Sequence, residues 1–293
     1  MGSMNSRISG LALTVILAVF AAVMLFPIGL TLVSSLMTEA ELSQNYDLIG
    51  RMVDTASGGR DAFVNLKLLP DWLSFEPYAK VLFLSPKFLS MFWNSAGLAG
   101  PIVIGQIIVG SLAAYAFAML RFPGRDKLFL VYLMTMLMPF QVTLVPNYLV
   151  IDKLGLMNHS SAIVLPGIFG AFGVFMLRQF MAHIPYALSE AAKVDGAGPF
   201  IIFWRVVLPL ATPGIAALAV LLFVDYWNMI EQPLIFLQDA AKQPLSLYLA
   251  QINQSERGTG FAASALYMAP MVLLFLHAES YFVAGIQHTG IKG

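Results

Sequence analysis

The sequence contains no cysteine and little charge. Its 293 residues include 16 Lys and Arg against 16 Asp and Glu, a net charge of zero, with 11% charged and 59% hydrophobic residues. Without cysteine there are no disulfides, thiolate metal ligands or cysteine nucleophiles. A soluble domain carries about 25% charged residues; with under half of that, the chain cannot cover a water-facing surface. A neutral chain also lacks the basic face that nucleic acid requires. No G-x-x-x-x-G-K-[ST] loop is present to cradle ATP phosphates. His159, His183, His277 and His288 are scattered, with no H-E-x-x-H to converge on a metal. No G-x-S-x-G elbow marks a nucleophile, so no catalytic residue is assigned.

Long apolar runs are what remains, at a mean hydropathy of +0.79. The first covers residues 10–37; others lie near Phe88–Leu120, Leu128–Ile151, Ser161–Leu177, Val206–Val224 and Phe261–Phe275. A helix needs about 20 residues to cross about 30 Å of hydrocarbon. The pattern therefore predicts an all-α membrane protein of six spans, the fifth continuing past Asp225 and Glu231 to Leu237 and the sixth to Ile286. Met1-Gly2-Ser3 ahead of Met4 reads as an added leader, and the first run is too long for a signal-peptide core of about 7–15 residues. The expected organisation is a short terminus (1–9), a first span (10–37), an extracytoplasmic segment (38–87), a core of spans two to six (88–286) and a tail (287–293). In the segment, Gly58-Gly59 offers a flexible point and Pro70-Asp71-Trp72 a turn.

Lys and Arg set the orientation. With the N-terminus inside, the cytoplasmic segments carry Arg7, Arg121, Arg125, Lys127, Arg178, Lys193, Arg205 and Lys292. The outside segments carry as many in more residues, so density places both termini in the cytoplasm.

Two polar features stand out. Residues 183–205, between spans four and five, read as a short helix, a turn and a second amphipathic segment. Ser189 or a neighbour is the expected helix start, with Glu190 in the first turn. Ala191 and Ala192 are small enough for close approach of another surface, and Asp195-Gly196 is a turn signal. The plainer alternative is a helix lying on the membrane surface. In span five, Asp225, Asn228, Glu231 and Gln232 fall on one arc of about 120° if the helix is continuous. Acidic groups in a span face the bundle or a wet cavity, so these residues line a pathway, or else sit at the outer interface or bond to neighbouring helices only.

The string Glu190-Ala191-Ala192-Lys193-Val194-Asp195-Gly196-Ala197, followed by Phe203, Leu208, Pro209 and Pro213, resembles the EAA loop of binding-protein-dependent ABC importer permeases. Further stretches are similar to the maltose-type carbohydrate branch: Leu112–Arg125, Pro139–Pro146, Lys153–Asn158, Arg178-Gln179-Phe180, Tyr281–Gly285 and Gly290–Gly293. The resemblance implies the type I permease fold, with 183–205 as a coupling loop in which Glu190, Ala191, Ala192, Asp195, Gly196 and Ala197 contact a separate ATPase. It implies a second related permease, two ATPase copies holding ATP and Mg, an extracytoplasmic solute-binding protein and the bacterial inner membrane, with no cofactor on this chain. Trp227, Asn228 and Pro233 match the family's pattern, which adds Trp227 to the candidate substrate path of Asp225, Asn228, Glu231 and Gln232. Glu231-Gln232 departs from it, because an aromatic usually precedes the proline. The expected cargo is a sugar or oligosaccharide; glycerol phosphate, an acidic oligosaccharide or a stand-alone transporter are the alternatives.

Overall fold

The computed structural model describes residues 2–46, 67–250 and 257–290, with side chains placed for 10–46, 67–250 and 257–280. Gly58-Gly59 and the extreme tail lie outside them, as do the side chains of Tyr281–Gly285. Every regular element among the described residues is helical: α1 Gly2–Ser34, α2 Glu39–Tyr46, α3 Glu76–Ala79, α4 Pro86–Met119, α5 Arg125–Met136, α6 Phe140–Lys153, α7 Ser161–Ile168, α8 Ala171–Ala182, α9 Tyr186–Val194, α10 Pro199–Ile202, α11 Leu208–Leu210, α12 Thr212–Trp227, α13 Glu231–Phe236, α14 Leu245–Leu249 and α15 Arg257–Gly290. Four stretches are apolar and long enough to span on their own: Gly10–Ser34, Pro86–Met119, Ser161–Ala182 and Arg257–Ser280. Two bent pairs, α5 with α6 at 96° and Pro199–Leu210 with α12 at 73°, are each apolar and long enough together for one further span. Proline explains both bends: Pro139 sits at the cap of α6, and Pro209 and Pro213 flank Ala211.

The chain forms two compact units. The first comprises Met1–Leu89 and Leu249–Met268. Its α1 keeps residues 10–29 exposed, an apolar surface suited to lipid. The first span ends at Ser34, three residues before the expected Met37, because Met37 turns inward to pack with Leu42, Tyr46 and Phe261. The Thr38 hydroxyl accepts from Glu41 N at 3.3 Å and starts α2. Glu39 accepts from the Arg257 and Gly258 amides, both at 2.9 Å, capping α15. Buried Glu41 holds the Asp71 amide at 2.8 Å and the Lys67 ammonium at 2.9 Å. Lys67 also pairs with Asp71, and the two carboxylates, Asp71 foremost, hold its pKa above the ordinary lysine value. Pro70-Asp71-Trp72 lies in the expected irregular stretch.

The second unit comprises Ser90–Tyr248 and Ala269–Gly293. Helix α4 is its axis: Leu98 and Ile102 pack against α6, α7 and α13, Phe117 against α5 and α8, and Ala114, Tyr115 and Met119 against α8 and α10–α12. Close crossings use glycine. A Cβ on Gly167 would meet Ile102 at 2.9 Å, and one on Gly170 would meet the Gln106 amide at 2.6 Å. The fourth span breaks at Phe169-Gly170, and backbone carbonyls in a membrane must find donors. Three other helices supply them: Tyr132 Oη donates to Phe169 O (3.2 Å), Gln106 Nε2 to Gly170 O (3.2 Å) and Tyr226 Oη to Gly167 O (3.5 Å).

The fifth span does not run on to Leu237. Pro233 has no N–H to give the Met229 carbonyl and its ring crowds that oxygen, so α12 stops at Trp227 and α13 restarts at Glu231. The Ser246 hydroxyl takes the freed Met229 carbonyl at 2.6 Å.

Candidate coupling surface and substrate cleft

Helix α9 begins at Tyr186 behind Pro185, whose fixed φ of −57° leads into the first turn. Of the expected starts, Ser189 or a residue near it, the helix takes the latter: Ser189 lies a turn inside, 3% exposed, its Oγ without a partner among the described residues, and Glu190 follows beyond the first turn. The end is a complete Schellman turn. Gly196 takes φ +83°, its amide donates to Lys193 O (3.0 Å), and the Ala197 amide donates to Ala192 O (2.9 Å). Only glycine adopts that φ without steric cost.

At 100° per residue, Ala187, Ala191 and Val194 share the outward face, flanked by Glu190 and Asp195, all exposed. The two alanines of the motif divide: Ala191 faces outward, whereas Ala192 and Ala197 are half-buried against the core formed by Leu177, Met181, Ile202 and Phe203. Close approach from outside is therefore possible at Ala191, while Ala192 seats the helix. The loop is tied to α4 and to the residues that follow it. Tyr186 lies between the cations of Arg121 (5.3 Å) and Lys193 (5.2 Å), and Tyr115 Oη donates to Pro199 O at 3.0 Å. The loop therefore packs against α8, α10 and α12 as well.

The polar residues of the fifth span line a cleft of about 490 Å³. Asp225 and Asn228 come from the end of α12, Glu231 and Gln232 from α13, and Phe140 from α6. They converge through the break at 228–230, so the continuous wheel expected from the sequence does not apply. A smaller cavity of about 90 Å³ shares Phe140, Tyr226 and Gln232 and adds Asn147. Asp225 stands about 20 Å along α12 from Thr212 at 1.5 Å per residue. Trp227 does not line the cleft: it is 1% exposed, stacked on Phe223 at 5.1 Å and edge-on to Phe92 at 5.4 Å, because its indole is the largest apolar group available to fill that gap. Asn228 Nδ2 donates to Val224 O at 2.7 Å. Gln141 was missed by the sequence reading, yet its Nε2 donates to both Glu231 oxygens, at 3.1 and 3.2 Å. A lone glutamine beside Pro139 in an apolar span was the available signal. Among the described residues no His, Asp and Glu cluster could hold a metal.

The arabinooligosaccharides transport system permease protein AraQ of Halalkalibacterium halodurans is 28% identical over 99% of both chains. The sn-glycerol-3-phosphate transport system permease protein UgpE of Brucella abortus is 31% identical over 76% of this chain and 83% of its own. A bacterial ABC transporter involved in the import of the acidic polysaccharide alginate has a chain that superposes with a TM-score of 0.78 and 25% identity, covering 95% of this chain and 98% of that one. Residues 106–287, which hold the loop, the cleft and the α4–α8 crossing, match the family described as binding-protein-dependent transport system inner membrane component, and the chain belongs to that family of multi-pass ABC importer permeases.

Proposed function

We propose that this chain is one of two related permease subunits in an ATP-driven importer that carries a sugar or oligosaccharide into the cytoplasm. Two copies of an ABC ATPase hold ATP and Mg²⁺, and an extracytoplasmic binding protein delivers the solute. Both termini and the 183–205 loop face the cytoplasm. The observation that carries this reading is the outward face of α9. Glu190, Ala191 and Asp195 present a small, acid-flanked surface on a helix braced against the bundle, in a chain with no phosphate loop of its own. An ATPase seated there moves α9, and the bracing of Tyr186 and Pro199 passes the motion to the helices around the cleft. Asp225, Asn228, Glu231 and Gln232 then line the path that opens to either side in turn.

An ATPase surface that pairs with Glu190 and Asp195 must offer them cations, so reversing either charge places like charges together, which costs several kcal/mol. Glu190→Arg and Asp195→Arg, separately, should each lower ATP-driven uptake about tenfold or more and strip the ATPase from the purified complex. The chain itself should still insert in the membrane. Full uptake by both variants would refute the coupling surface. A second reading, import of an anionic solute, draws support from the relatives named for glycerol phosphate and alginate.

A further inference from the structure

The cleft carries an electrostatic signature that separates these two readings. Two carboxylates, Asp225 and Glu231, line about 490 Å³ of space, and no Lys, Arg or His among the described residues lines it with them. The described ion pairs sit elsewhere, at Lys67, Lys80 and Arg125. The donor that Glu231 has found, the Gln141 amide, is neutral and leaves the negative charge uncompensated. A carboxylate is an acceptor only. It takes hydrogen bonds from hydroxyl or ammonium groups as it does from the amide, whereas a uronate or phosphate brings a second anion against it, which Coulomb repulsion disfavours.

We propose that the Asp225–Glu231 cleft is a charge filter, admitting neutral or cationic glycosides and rejecting anionic ones. The proposal rests on the reading of this cleft as the substrate path and narrows its cargo. A sugar hydroxyl replaces the Gln141 amide on Glu231, with the Asn228 and Gln232 amides within the same cleft and Phe140 offering its ring to the apolar face of a pyranose. Relatives that import anions must either lack these two carboxylates or offset them.

The absence of native cysteine allows the local potential to be read directly. Ile230, exposed and lining the cleft, is replaced by cysteine in the assembled complex. Its modification rates are measured with trimethylammonium-ethyl and sulfonatoethyl methanethiosulfonate, each normalised to the rate of the same reagent with 2-mercaptoethanol. The cationic reagent should be favoured about tenfold or more, and Asp225→Asn with Glu231→Gln on the same background should bring the ratio to within about threefold of unity. A ratio near unity before those changes, or one they leave unmoved, overturns the filter. Val224→Cys gives the same reading should Ile230→Cys fail to assemble. Proteoliposome uptake of maltotriose should exceed that of trigalacturonate, and equal uptake overturns the filter as well. If neither sugar accumulates while the thiol ratio holds, it is the sugar-import reading that fails, and the cargo assignment falls with it while the charge selectivity stands.

Discussion

Ser189 sits where the sequence offers a helix start and the fold uses a small side chain for packing. Its hydroxyl is buried without a partner among the described residues, and an unpaired buried polar group costs about 1–3 kcal/mol. Ser189→Ala removes that cost and leaves a void of one oxygen. The variant should therefore keep or raise the Tm of the detergent-solubilised protein, with ATPase coupling unchanged. A marked fall in Tm would show that the hydroxyl is hydrogen-bonded in the assembly. At this scale Gly196 was legible, because Asp-Gly after an alanine-rich helix needs a positive φ. Ala192 and Trp227 were not. A motif states which residues recur together, but whether a side chain faces the core depends on other helices, here the neighbouring α8 for Ala192 and the distant α4 for Trp227.

The six spans were readable as elements because hydropathy alone drives them into lipid. Their interruptions were hidden, since an apolar run looks the same straight or bent by 96°. The polar arc of the fifth span failed as a wheel for a local reason, the missing N–H of Pro233, and survived as a cleft because Ser246 takes the orphaned carbonyl. The break in the fourth span makes a sharper prediction. Gly170→Ala drives a methyl into the Gln106 amide, at 2.6 Å from Nε2, and should destabilise the protein by about 1–3 kcal/mol. Gln106→Ala relieves the clash and leaves the Gly170 carbonyl without its donor, so the double variant should recover part of the loss. A double-mutant cycle on thermal denaturation measures the coupling; additive losses would mean that the two residues do not meet.

Across the whole molecule, sidedness follows from alternation of the spans. On the proposed orientation, single cysteines at Asp126 and Ala187 should react with a membrane-impermeant maleimide only after the cells are opened. A cysteine at Gln238 should react from outside, with a difference of about tenfold or more in each case, since an impermeant probe meets only one face of the bilayer. The reverse pattern would invert the protein. The bends carry a further consequence for synthesis. A nascent chain that has emitted α5 but not α6 offers the translocon 12 residues of helix, about 18 Å against about 30 Å of hydrocarbon. Neither half of the third span is long enough to cross alone, so insertion of α5 is expected to await the synthesis of α6.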